Sequence, residues 1–166
     1  MMFTDDIYPD ELQVSSLIAA ATGRDHIGSE GGKNVFAYAL TYEPVGQGAA
    51  NSLVSQFQAI NLTCRAYALT VPHTMIFFDV AACNFSSRRI GLHRLRVACR
   101  SPLFDTNTIV AQSPCRVSRM PDEQEELRKE FSLLGIHLTY HTTIPATSMA
   151  ELDKYYRPAS PSGFRL

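Results

Sequence analysis

The run from Val35 to Val80 constrains this chain most, because two apolar, β-rich segments bracket a turn and an amphipathic helix. The segments are Val35-Phe36-Ala37-Tyr38-Ala39-Leu40 and Met75-Ile76-Phe77-Phe78-Asp79-Val80, with Gly46-Gln47-Gly48 marking the turn. Between them Ala50, Leu53, Val54, Phe57 and Ile60 recur at helical spacing, opposite Asn51, Ser55, Gln56 and Gln58. Such a stripe must be buried, and the flanking strands are its nearest partner. Side chains alternate along Val35 to Leu40, so Val35, Ala37 and Ala39 share the face expected under the helix. Phe36, Tyr38 and Leu40 share the other, expected to be left open or to be covered by something else, such as the N-terminal arm, the second unit or a partner. A third β-rich run, Cys64 to Val71, completes the order strand, helix, strand, strand.

Before this unit, Asp10 to Ala21 forms a short helix with acids in its first turn, and Gly23 to Lys33 reads as a glycine-rich linker. After it, Ala81 to Leu95 reads as a second helix and Leu95 to Ala98 as a short strand stopped by Pro102. The sum is β-α-β-β-α-β from about Asn34 to Ser101, an α+β, ferredoxin-like order: an antiparallel sheet with two helices on one face. Strand, helix and strand recur at Thr108 to Val117, from Pro121 to Leu134, and at Ile136 to Ile144. Leu53 to Phe57 is matched by Leu127 to Phe131, and His73-Thr74-Met75-Ile76 by His141-Thr142-Thr143-Ile144, as in a decayed duplication. Ser148 to Tyr156 reads as a terminal helix opened by a capping box, or as the remnant of a third strand. The expected organisation is an arm over 1–33, a domain over 34–104, an incomplete second unit over 105–158, and a tail over 159–166.

With 166 residues, 45% hydrophobic and 19% charged, the chain has the makeup of a folded domain. It carries no apolar run of membrane-spanning length, and its acidic start argues against a secretory signal, so an intracellular, nuclear or cytoplasmic protein is expected. Cys64, Cys83, Cys99 and Cys115 lie too far apart for a zinc motif and read as reduced, mostly buried thiols. The formal charge of −1 conceals an uneven distribution. Seven acids face Arg24 and Lys33 up to Glu43, whereas eight arginines face Asp79 and Asp105 between Arg65 and Arg119. A basic centre suits an anionic partner or an acidic arm folded over it.

Within this order, Val35 to Leu40 resembles the first conserved strand of RNA recognition motifs, and Val71-Pro72-His73-Thr74-Met75-Ile76-Phe77-Phe78 the second; the nearest likeness is to tandem-motif meiotic RNA-binding proteins. The resemblance implies a non-enzymatic protein that stacks single-stranded RNA on the open sheet face, with no cofactor. Phe36 matches the first stacking position, and His73 and Met75 fall on the two others. Tyr38, Arg65, Tyr67 and Phe77 belong to the same expected face. Arg88, Arg89, Arg94, Arg96 and Arg100 form the expected phosphate track.

Two alternatives stand beside this reading. Val71-Pro72 and Met75 make the platform apolar, which suits a protein-interaction or scaffolding module. His137-Leu138-Thr139 and His141-Thr142-Thr143 fit the H-x-T element of two-histidine phosphoesterases, in which two histidines share acid and base duty. No catalytic or metal-binding residue is otherwise expected.

Overall fold

The computed structural model describes residues 11–44, 46–80 and 89–141. The elements are helix α1 (Glu11–Thr22), strands β1 (Ile27–Gly28), β2 (Lys33–Asn34) and β3 (Phe36–Leu40), helix α2 (Gln47–Ala66), strands β4 (Leu69–Val71) and β5 (Ile76–Asp79), helix α3 (Ile90–Arg100), strand β6 (Thr108–Ala111), helix α4 (Pro121–Leu133) and strand β7 (His137–Tyr140).

The main sheet has four strands in the order β5-β3-β6-β7, and every pairing in it is parallel. Tyr38 sits beside Phe77 across β3 and β5, and Phe36 beside Ile109 across β3 and β6. Parallel neighbours need a crossover, and α2, α3 and α4 supply the three. Phe57 of α2 meets Phe78 edge-on at 6.2 Å, placing α2, with α1 against it, on one face. Asp79 accepts hydrogen bonds from the backbone of α3 on the other face. Arg96 and Arg100 of α3 bind Glu130 of α4 there, so α3 and α4 lie side by side. Every residue of β3, β5 and β6 is buried, the pattern of a parallel sheet covered on both faces.

The structure confirms an α and β fold but corrects the ferredoxin-like arrangement, since the sheet is parallel and covered on both sides. Four local departures produce the difference. Helix α2 runs on through Ala66, so Arg65 lies in its last turn and Tyr67 just beyond it, and the third strand begins only at Leu69. His73 to Met75 is a single 3-10 turn ahead of β5. The expected strand from Leu95 to Ala98 is the middle of α3, because Leu92, Leu95 and Ala98 recur at helical spacing and are all buried. The glycine-rich run supplies β1 and β2, which flank β4 in a second, three-stranded sheet. Gly28, with φ of 95°, brings its backbone so near β4 that an added Cβ would lie 2.2 Å from the Leu69 carbonyl oxygen. The expected helix over Ser148 to Tyr156, the tail, Cys83 and residues 81–88 lie outside the described residues.

Gly91 decides how closely α3 approaches β5. A Cβ there would lie 2.1 Å from the Phe78 carbonyl oxygen and 3.0 Å from the Asp79 carboxylate. Gly91→Ala is therefore expected to lower stability by about 1–3 kcal/mol, through overpacking that outweighs the helix propensity of alanine. Urea denaturation checks this, and an unchanged midpoint would show that α3 can shift freely.

Candidate functional site

The strand order reverses between β3 and β6: the chain leaves β3 toward α2 on one face and leaves β6 toward α4 on the other. At such a switch point the two departing loops diverge and leave a crevice beyond the carboxyl ends of the strands. A cleft of about 460 Å³ occupies this place. Thr41, Tyr42 and Glu43 follow β3, Gly48, Ser52 and Ser55 lie on α2, and Gln112, Arg116 and Arg119 follow β6.

Local chemistry fixes most of this lining. Thr41 is fully buried, and its hydroxyl accepts the Glu43 amide at 3.2 Å, folding the loop back after the strand. Gln56 braces the same loop from α2, with its side-chain amide accepting from Leu40 N at 3.0 Å and donating to Leu40 O at 2.9 Å. The Gln56 amide also donates to Ser52 Oγ at 3.2 Å, leaving that hydroxyl's own proton available to the cleft. Arg116 Nη1 donates to Leu40 O at 3.3 Å, and the Arg119 guanidinium lies 3.5 Å over the Tyr42 ring centroid. Burial raises the Tyr42 hydroxyl above its ordinary value, opposed by Arg89 and Arg119, so it stays protonated. Among the described residues neither Arg116 nor Arg119 forms an ion pair. Helix α2 opens on Gly46 without a side-chain cap or an acid in its first turn, so its positive end also faces this region. Glu43, exposed on the rim, is the one carboxylate in the lining.

Beneath the cleft lies a buried polar network. Tyr38 donates to Asp79 Oδ2 at 2.5 Å, and Gly91 N and Leu92 N donate to the same carboxylate at 2.7 and 2.9 Å. Arg89 donates to the Tyr38 hydroxyl from Nε and Nη2, at 3.2 and 2.8 Å, and to the Val117 carbonyl. Desolvation, then the Asp79 charge, raises the Tyr38 hydroxyl well above its usual range, which keeps it the proton donor of the pair.

The residues expected to form an RNA-stacking platform are not on an open face. Phe36 is 1% exposed and packs edge-on against Phe77 and Phe104, at 5.9 and 5.4 Å. Tyr38, Met75 and Phe77 are buried, and the half-buried His73 hydrogen-bonds Ser15 at 3.0 Å. Arg65 and Arg94 are exposed on different helices, Tyr67 is half-buried, and Arg88 lies outside the described residues. Arg89 is 2% exposed, and Arg96 and Arg100 share Glu130. RNA binding through the sheet fails because both faces of the sheet are covered by helices. The same covering removes the surface required by the protein-interaction alternative. The H-x-T alternative is not favoured either: His137 is exposed while Thr139 is 1% exposed, and His141 Nδ1 is engaged by the Thr63 hydroxyl at 2.9 Å. Thr142 and Thr143 lie outside the described residues. No cluster of three or more metal-ligating side chains forms among the described residues. Of the described cysteines, expected to be mostly buried, Cys64 is buried with its thiol pushed far up by desolvation, Cys99 is half-buried and Cys115 is exposed.

The cleft residues Thr41, Ser52, Gln112, Arg116 and Arg119 escaped sequence reasoning. The usable signal was positional: a polar residue directly after an apolar strand, twice, with a glycine-marked helix start after the first.

No family model and no curated protein matches the chain. Among solved structures, the fold is similar to the C-terminal catalytic domain of ISC1926 TnpA, an IS607-like serine recombinase. The TM-score is 0.54 at 17% identity, over 73% of this chain and 76% of that one. This likeness and the parallel sheet overturn the assignment to RNA recognition motifs. The neighbouring domain is a catalytic one, so the likeness gives no support to the expectation of a non-enzymatic protein. Among the described residues no helix is long and apolar enough to cross a membrane.

His141 gives the fold a pH dependence. Burial holds its pKa below 6.5, so the unfolded chain takes up a proton before the folded one does. The stability contributed by neutral His141 is complete above 6.5 and is lost as pH falls through the lower, folded value. Denaturation at about pH 7.5 and about pH 5.5 should show a drop that shrinks in His141→Gln. An equal drop in that variant would assign the effect to other groups.

Proposed function

We propose that the chain binds the phosphodiester backbone of DNA in the switch-point cleft. The observation that carries this reading is the convergence of Arg116, Arg119 and the uncapped start of α2 on one polar cleft. Guanidinium forks and helix amides are matched to phosphate oxygens, and neither arginine is committed to a carboxylate among the described residues. The similarity of the fold to a recombinase catalytic domain supports DNA as the source of the phosphate. Base stacking has no part in it, because the sheet's aromatic rings are buried.

Phosphoryl transfer is the second reading, favoured by the hydroxyls of Ser52 and Ser55 on the α2 wall facing the arginines. Attack by either oxygen on phosphorus would form a serine-phosphate ester and break the bond from phosphorus to one strand end, with the serine proton relayed by solvent or Glu43 to that leaving oxygen, which departs as an alcohol.

Titration of a short DNA duplex over a range of salt concentrations tests the first reading. Arg116→Ala and Arg119→Ala should each weaken binding about tenfold, equivalent to ~1.4 kcal/mol, and flatten the log-log salt dependence by about 0.9. Glu43→Gln should tighten binding. Affinities unchanged in both arginine variants would end the proposal. Incubation with supercoiled plasmid tests the second reading, which requires strand breakage that disappears in Ser52→Ala or Ser55→Ala.

A further inference from the structure

We infer that Arg89 and Glu123, neither of which lines the cleft, are positioning residues that set the two cleft arginines. The inference rests on the DNA-binding reading above and assigns it a buried control point. Arg116 and Arg119 are separated by Val117 and Ser118, which are 1% and 2% exposed while their neighbours project into the cleft. Both buried residues are held from below. Arg89 Nη2 donates to the Val117 carbonyl, and Ser118 Oγ donates to Glu123 Oε2 at 2.6 Å. Ser118 Oγ also accepts the Met120 amide at 3.0 Å, and Gln124 Nε2 donates to the Ser118 carbonyl at 2.6 Å. Glu123 Oε1 lies 3.7 Å from Arg89 Nη1, which closes the circuit. Through the Tyr38 hydroxyl, the circuit is tied to the middle of β3 and to Asp79 at the tip of β5.

Arg89 is not itself a phosphate ligand. It is 2% exposed, and two carboxylates, Asp79 at 3.9 Å and Glu123 at 3.7 Å, offset its charge. Its planar fork reaches the Tyr38 hydroxyl and the Val117 carbonyl together, which an ammonium group does less well. The loop after β6 thus depends on this fork and on the Ser118 to Glu123 bond. Loss of either lets Val117 and Ser118 move, and the flanking guanidiniums with them.

The test compares Glu123→Gln, Ser118→Ala and Arg89→Lys with Arg116→Ala, using the whole 166-residue chain and a short DNA duplex as the probe. The expected result is an affinity loss of about tenfold, with the log-log salt slope reduced by about 0.9, as though one arginine contact had been removed. General destabilisation would lower the fraction of active protein and leave that slope unchanged, so the slope separates positioning from mere support. Ser118→Ala and Glu123→Gln carry the test if Arg89→Lys does not fold. Wild-type affinity and slope in folded Ser118→Ala and Glu123→Gln, with Arg116→Ala impaired, would overturn this inference alone. Wild-type binding in Arg116→Ala would overturn the DNA-binding reading, and this inference with it.

Discussion

The Asp79 carboxylate holds the architecture together at the point where it is hardest to hold. A carboxylate only 5% exposed is tolerable when its oxygens are filled, and here two helix amides, a tyrosine hydroxyl and a nearby guanidinium fill them. The amides belong to the first turn of α3, where a negative charge also complements the helix dipole. One side chain therefore caps a helix, ties it to the strand it follows, and anchors the tyrosine of the adjacent strand. The close approach of α3 to β5 at Gly91 follows from this tie. So does the covering of the second face of the sheet, because among the described residues α3 is the helix that crosses from the edge strand β5 back past β3 to β6.

Much of the secondary structure was legible. The Leu53 and Phe57 pair and the Leu127 and Phe131 pair are the buried stripes of α2 and α4, as their spacing requires. The direction of the strands was not legible from the alternation along Val35 to Leu40, which has alanines on one side and large side chains on the other. Both sides are apolar, and both are buried: small residues let α2 sit close, while Phe36 and Tyr38 fill the wider gap beneath α3 and Phe104. An unbroken apolar run is the mark of a strand covered twice, whereas one open face calls for polar alternation. Leu95-Arg96-Val97-Ala98 misled in the opposite way, because four residues alternate on a helix surface as readily as on a strand. Only the longer Leu92, Leu95 and Ala98 period separates the two.

The candidate site was harder to read for a topological reason. Thr41 and Arg116 are separated by most of the sheet in sequence, and they meet only because β6 returns to lie beside β3. No spacing rule encodes that return. Tyr38 and Arg89 were singled out for an outward-facing role, and they act together in the interior instead. Their residue types, a ring with a hydroxyl and a guanidinium, suit a nucleic-acid surface and a buried polar network equally well. Burial alone distinguishes the two, and burial follows from the strand pairing.

Charge balance decides what kind of anion the cleft suits. Arg89 lies beneath it but contributes little field outward, since Asp79 and Glu123 offset it from within. What remains at the mouth is a pair of guanidiniums and the start of α2, set against the Glu43 carboxylate. Two cations against one anion leave a modest positive excess, matched to the single charge of a phosphodiester. A nucleoside triphosphate would bring several charges to a site with few donors and no cluster of carboxylates to hold a counter-cation among the described residues. The backbone of a polymer also compensates for weak single contacts, because its neighbouring phosphates raise the local concentration of each next one. A cleft open at the rim, with one arginine held by the Leu40 carbonyl and the other stacked on Tyr42, therefore favours a chain of phosphates passing across it over a small ligand enclosed within it.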